Sequence, residues 1–265
     1  WRLYAHGFDN AGHAESACHA STPMLRKRPR FEFLPFAFTA ASLLIIGATF
    51  AAGAKAADFS GNATLTSDYV WRGSTQTLGD PAAQLGFRLS GDSGFYASAW
   101  GSNVHFAPGT GANLELDLAA GWAKNLSDDW ALDVNVLRYQ YPSSAVDLNW
   151  TELDGTLTWK GNYWVSVGAS NEALGYDARG VYTLVGAKFP INDRFRVEAD
   201  VAHYFLDDAV VARNGYTHGW LSAVWTVKGP LEARLTVHAT DNNAKAIFGD
   251  DFAGSRVEAA LQASF

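Results

Sequence analysis

The 265-residue chain carries 27 Asp and Glu against 20 Lys and Arg, a formal net charge of −7. That balance removes the basic patch a nucleic-acid partner calls for. The only cysteine, Cys18, and the only methionine, Met24, lie near the N-terminus, so the rest of the chain holds no disulfide, thiol nucleophile or cysteine-ligated metal.

Residues 1–23 carry no usable pattern and read as an extension upstream of the translation start. From Met24 the sequence Met-Leu-Arg-Lys-Arg-Pro-Arg is a basic n-region, and Phe36 to Ala54 follows as an apolar run. Ala54-Lys55-Ala56 is a small-x-small cleavage site, so residues 24–56 are predicted to be a secretory signal peptide. The alternative for this run is an uncleaved membrane anchor. Residues 57–265 then form the exported protein, with 14 basic and 24 acidic residues and a net charge of −10. They hold nine Trp, a load that aromatic belts at both water–lipid boundaries would explain.

No hydrophobic helix follows the leader, so a membrane-spanning structure would have to be a closed barrel, in which every backbone polar group finds a partner. The mature sequence reads as short segments with period-two alternation. The first two, near 58–72 and 81–91, are weak, as is 95–104. Leu114, Leu116 and Leu118 alternate with Glu115 and Asp117; Trp130, Leu132, Val134 and Val136 alternate with Asp133 and Asn135. Leu153, Leu157 and Trp159 alternate with Glu152, Asp154 and Lys160. Weaker segments fall at 163–171 and 180–190. Phe195, Val197, Ala199 and Val201 then alternate with Arg196, Glu198 and Asp200. A weak segment at 217–228 precedes the cleanest one, where Leu231, Ala233, Leu235, Val237 and Ala239 share one face and Glu232, Arg234, Thr236 and His238 the other.

The last segment, 254–265, alternates Val257, Ala259, Leu261, Ala263 and Phe265 with Glu258, Gln262 and Ser264. A terminal strand ending on an aromatic suits the closing strand of an outer-membrane barrel, pairing with 58–68. Twelve strands are predicted, with an error of two because 58–80 and 139–152 are ambiguous. Tight turns at Gly91–Gly94, Asn125–Asp129, Lys160–Asn162, Pro190–Asp193 and Lys228–Pro230 separate longer connections such as 207–216 and 241–254. This asymmetry of short turns and long loops is that of an antiparallel up-and-down transmembrane barrel. A soluble sandwich or lipocalin-like barrel would alternate equally well but put the charges outside.

Ser67-Asp68-Tyr69-Val70-Trp71-Arg72-Gly73 followed by Ser74-Thr75-Gln76 resembles the opening motif of the TorF porin family. Gly94-Phe95-Tyr96, Trp100–Val104, Leu114–Asp117, Arg138–Pro142 and Trp150–Leu153 extend the resemblance through the first half of the mature chain, more loosely through the second. It implies an outer-membrane β-barrel with porin activity, and it brings no catalytic residues.

With charges inward, the lumen would hold Glu115, Asp117, Asp133, Glu152, Asp154, Glu198, Asp200, Glu232 and Glu258, facing Arg88, Lys160, Arg196, Arg234 and Arg256. In one reading they line a water-filled channel that favours cations or zwitterions over anions. In the other they form salt-bridge ladders that fill a small interior. Arg72 either pairs with Asp68 or a lumen acid and sets a constriction, or sits at the interface beside a girdle aromatic. His105, His203, His218 and His238 have no nucleophile signature or metal-ligand spacing beside them and read as lumen or loop residues. Loops at Gly79–Pro81 and Gly249–Asp251 lack a calcium-loop spacing. The expected protein is a porin of the bacterial outer membrane, without enzyme activity, metal or cofactor, inserted by the barrel-assembly machinery and passing small polar solutes. A structural or adhesive barrel with a plugged lumen is the alternative, an outer-membrane enzyme a more distant one.

Overall fold

The computed structural model describes residues 57–106, 109–208 and 211–265. The extension over 1–23 and the leader and cleavage site over 24–56 lie outside the described residues. The chain forms β1 (Asp58–Thr66), β2 (Val70–Trp71), β3 (Ser74–Thr75), β4 (Ala82–Ser90), β5 (Phe95–Asn103), β6 (Leu114–Asn125) and β7 (Trp130–Gln140). It continues through β8 (Trp150–Trp159), β9 (Tyr163–Ser170), β10 (Gly180–Pro190), β11 (Phe195–Leu206), β12 (Gly215–Lys228), β13 (Leu231–Thr240), α1 (Asn242–Phe248) and β14 (Arg256–Ser264). β1 and β4 to β14 make one closed antiparallel barrel of twelve strands, and β2 and β3 form a separate two-stranded hairpin.

Closure is made by β14 against β1, in register from Asn62↔Ser264 to Thr66↔Ala260, while β1 pairs β4 along its whole length. Phe265 and Gly61 exchange two backbone hydrogen bonds of 2.7 and 2.9 Å at the seam. Every barrel strand therefore has two neighbours, which removes the free edge that neither lipid nor water-exposed solubility tolerates well.

Exposure of the alternating positions settles which face is which. Leu65, Val185, Val201, Leu221 and Val257 point outward and are exposed, Leu65 at 66%. The charged and hydroxylated positions between them point inward. A closed sheet with an apolar exterior and a polar interior is the inverse of a soluble barrel and fits a lipid surround. The tight turns and both barrel ends of the chain share one rim, called here the turn end, and the longer connections share the other, the loop end.

Two expectations are corrected. The strand expected over 58–72 stops at Thr66, because Ser67 leaves the sheet: its amide bonds the Ala259 carbonyl and its hydroxyl accepts from the Ala259 amide, both at 2.9 Å. Residues 67–81 then fold inward. The Trp load is also not a pair of belts. Trp122, Trp130, Trp159 and Trp225 lie on the outer face at the turn end, with contacts such as Trp130–Trp159 at 6.3 Å and Phe195–Trp225 at 6.0 Å between centroids. Trp71, Trp100, Trp150, Trp164 and Trp220 instead point into the barrel, where they fill space between inward strands.

Several strands run further than their alternation shows. β6 continues past Leu118 through Ala119, Ala120, Gly121, Trp122 and Ala123, where small residues on both faces erase the period. β11 likewise reaches Leu206.

Candidate functional site

The inward hairpin is the centre of the interior. Its base is built by Asp68, whose Oδ1 accepts from the hydroxyls of Thr75 and Thr77 (3.0 Å for Thr77) and from the Gly79 amide at 3.3 Å. Its Oδ2 lies 3.6 Å from Arg256 Nη1. The Tyr69 amide donates to Thr77 Oγ1 at 3.0 Å and the Gln76 amide to the Tyr69 carbonyl at 2.6 Å. Ser, Thr and Asp here satisfy backbone that has left the sheet, which is why a segment so polar can be buried.

The hairpin turns at Arg72-Gly73, with φ of 47° and 81°. Two successive positive φ values match the tight turn whose twist suits paired strands. Gly73 is also required by proximity: a Cβ there would lie 2.6 Å from Thr240 Cγ2 and 2.8 Å from His218 Cβ. The tip backbone therefore packs against β12 and β13, and the Arg72 side chain extends from it to the wall of β8, β10 and β11.

There the Arg72 guanidinium makes a forked pair with Glu152 of β8, Nη1 to Oε1 at 3.1 Å and Nη2 to Oε2 at 2.7 Å. Both groups are deeply buried, Glu152 at 1% exposure. The guanidinium carbon sits 3.8 Å from the centroid of Tyr182 on β10, 4.9 Å from Tyr204 on β11 and 4.7 Å from its neighbour Trp71. The Tyr216 hydroxyl donates to the Arg72 carbonyl at 3.0 Å. Tyr139 stacks on Trp150 at 4.1 Å, with Trp71 edge-on to each at 6.0 Å. A forked carboxylate below a cation and aromatic faces beside it are the two strongest partners a guanidinium has. On the opposite wall Tyr69 packs on Trp100, its hydroxyl 3.4 Å from Glu115. Burial, and next the Glu115 charge, hold the Tyr69 hydroxyl protonated well above the ordinary tyrosine range.

The loops close over the hairpin. The Thr75 amide donates to the Phe252 carbonyl at 2.9 Å, the His105 amide to the Gln76 carbonyl at 2.7 Å, and Phe248 of α1 packs on Tyr216 at 5.1 Å. Tyr69, Ala82, Val104, Phe106 and Ala112 form a small apolar core under this cover. Burial falls away toward the turn end, where inward charges are part-exposed.

The remaining expected lumen residues fall into groups. Arg196 and Arg234 join Glu198 and Glu232 in a four-membered network at the turn end: Arg196 reaches Glu232 at 2.5 and 2.7 Å and Glu198 at 2.6 Å, and Arg234 reaches Glu198 at 2.6 Å. Arg88 lies 3.5 Å from Asp133 and stacks over Tyr96 at 3.4 Å, whose hydroxyl also bonds Asp133 at 2.7 Å. Glu258 takes the Thr66 hydroxyl at 2.7 Å and faces His238 at 2.9 Å. Arg256 bonds the Asp251 carbonyl in addition to Asp68. Among the described residues, Glu115, Asp117, Asp154 and Asp200 point inward with no basic group within 4.0 Å. Asp154 and Glu152 crowd Gly168, where a Cβ would lie 2.7 and 2.3 Å from their oxygens.

Some placements differ from expectation. Lys160 is not in the lumen; it occupies the β8–β9 turn at φ 50°, its amine 5.1 Å from the outward Trp159 ring. His203 is on the outer face of β11 against Phe205, because its odd-numbered position shares the face of Val201. Trp71 is inside the barrel, not at the membrane girdle. His105 is a loop residue 3.3 Å from Asp80, and Asp250 lies 3.8 Å from Lys245. No cluster of metal-binding side chains occurs among the described residues. The aromatic lining of Tyr139, Tyr182, Tyr204 and Tyr216 was missed, although all four Tyr occupy the inward phase of their strands near the loop end, a signal that was available.

Among solved structures, the NanC porin superposes with a TM-score of 0.53 at 11% identity, covering 78% of this chain and 99% of its own. The KdgM porin gives 0.49 at 8% identity, with 78% and 99% covered, and LpxR from Salmonella typhimurium 0.44 at 8%, again with 78% and 99%. At such identities the first match shows a shared porin fold and no more. Among curated proteins, none matches the sequence. Residues 50–265 match the family described as "Bacterial protein of unknown function (Gcw_chp)", a different name from that of the TorF resemblance. The chain is a member of the Gcw_chp family, built on an outer-membrane porin fold.

Proposed function

We propose that the protein is a porin of the bacterial outer membrane, exported by a cleaved leader, that passes small polar solutes passively and favours cations. The observation that supports this best is the gradient along the interior. Part-exposed charged side chains line a polar vestibule at the turn end and lead to a hairpin whose tip is fastened by side chains, while β1 still closes the sheet behind it. A barrel that only needed filling could use apolar side chains, at less desolvation cost than buried ion pairs. The excess of inward acids over inward bases supports the cation preference. The TorF resemblance carries the same reading, in which lipid and the barrel-assembly machinery are the partners and no catalytic chemistry is required.

A structural or adhesive barrel is the second reading. The contacts of residues 67–77 with β5, β6, β8, β10, β11 and β12 favour it, since they span the interior. Swelling of liposomes in isotonic solutes of graded size and charge separates the two. A porin swells them with small polar solutes, fastest with cations; a plugged barrel leaves them indistinguishable from empty liposomes.

A further inference from the structure

Arg72 is a cation delivered into a cation site. Its guanidinium comes from the hairpin, but apart from Trp71 everything it touches belongs to the wall: Glu152 on β8, Tyr182 on β10 and Tyr204 on β11. These three are fixed by the barrel ladder and would keep their places if the hairpin tip moved. Tyr139 donates to Glu152 Oε2 at 3.4 Å, and the Tyr182 hydroxyl and His218 Nε2 lie 3.0 Å apart, so Glu152 and Tyr182 have partners besides Arg72, while Tyr204 is packed against Tyr182 and Tyr216. A carboxylate flanked by two tyrosine faces recognises guanidinium and compact ammonium groups by charge, by forked hydrogen bonding and by the negative ring face.

Building on the porin reading, we propose that Glu152, Tyr182 and Tyr204 form a binding site for guanidinium- or ammonium-bearing solutes on the lumen wall, and that Arg72 occupies it as an internal competitor that keeps the hairpin shut. The inward excess of carboxylates draws solutes of that charge toward it. The device is autoinhibitory: a solute cation and Arg72 cannot hold Glu152 together, so solute binding releases the tip.

The test uses the full chain refolded in lipid vesicles, with methylguanidinium as probe and methylurea, a neutral analogue, as control. Arg72→Asn is the variant of choice, because Asn-Gly suits the tight turn and keeps the hairpin while vacating the guanidinium site. Methylguanidinium at millimolar concentration raises the unfolding temperature of Arg72→Asn by several degrees, methylurea does not, and Arg72→Asn/Glu152→Gln loses the response. In bilayers Arg72→Asn gives larger current steps than wild type, and methylguanidinium reduces them. Absence of the thermal response in Arg72→Asn, or an equal response in the double variant, overturns the site. A thermal response without current in any variant upholds the site and overturns the porin reading on which the gating rests. Should Arg72→Asn fail to fold, wild-type protein with methylguanidinium as the permeant ion decides: more frequent openings than in sodium support the proposal, and fewer or equal openings contradict it.

Discussion

The guanidinium of Arg72 and the carboxylate of Glu152, 80 residues apart in sequence, meet in two parallel hydrogen bonds inside the barrel. The pair joins a short interior hairpin to the wall of a twelve-stranded sheet. Buried forked pairs are strong in geometry but weak in net stability, because desolvation offsets most of the attraction. Their value lies in fixing one arrangement against others.

Glu152→Gln leaves Arg72 charged and half-satisfied in a dry setting. The expected loss of stability is about 3–5 kcal/mol, read from urea unfolding of the vesicle-inserted protein. Arg72→Asn combined with Glu152→Gln recovers part of that loss, since neither charge then remains. A double variant no better than Glu152→Gln alone would mean the pair is not coupled.

Gly73→Ala and Gly79→Ala share a positive φ, 81° and 84°, but differ in space: the first Cβ meets Thr240 and His218, the second meets nothing. Gly79→Ala should cost about 1 kcal/mol from backbone strain alone. Gly73→Ala should cost distinctly more and should raise conductance, as the tip is pushed from the wall. Equal costs would show that the tip does not pack there.

Val185→Arg places a charge on the outer face of β10, at a position 57% exposed. In lipid this costs about 2–4 kcal/mol near the bilayer centre. A soluble barrel would tolerate it at almost no cost, so refolding yield and unfolding free energy in vesicles distinguish the two surrounds.

Glu115→Gln with Asp117→Asn removes two inward carboxylates that have no basic partner. Glu115 is 1% exposed and one Asp117 oxygen is buried without a partner, so the reversal potential under a salt gradient should barely move. Glu198→Gln, at a part-exposed carboxylate beside Arg196 and Arg234, should move it further toward zero as cation preference falls.

Strong alternation made the barrel legible: Leu231 to Ala239 and Phe195 to Val201 announce both faces outright, and twelve strands were expected where twelve close the sheet. Length was harder to read in β6, where Ala and Gly on both faces hide the period. The interior hairpin was not legible at all as a fold element. Its strands are two residues each, and its partners sit on β8, β10, β11 and β12, brought near only by barrel closure. Arg72 could be singled out from its aromatic neighbours, but nothing local to it names Glu152. Inward Tyr positions near the loop end were readable from strand phase; their convergence on one guanidinium was not.

Single-channel recording of the purified, folded protein in planar lipid bilayers tests the porin claim most directly. Discrete current steps are expected, larger in Arg72→Asn, with a reversal potential on the cation-selective side. A folded barrel that gives no steps, as wild type and as Arg72→Asn alike, would contradict the claim.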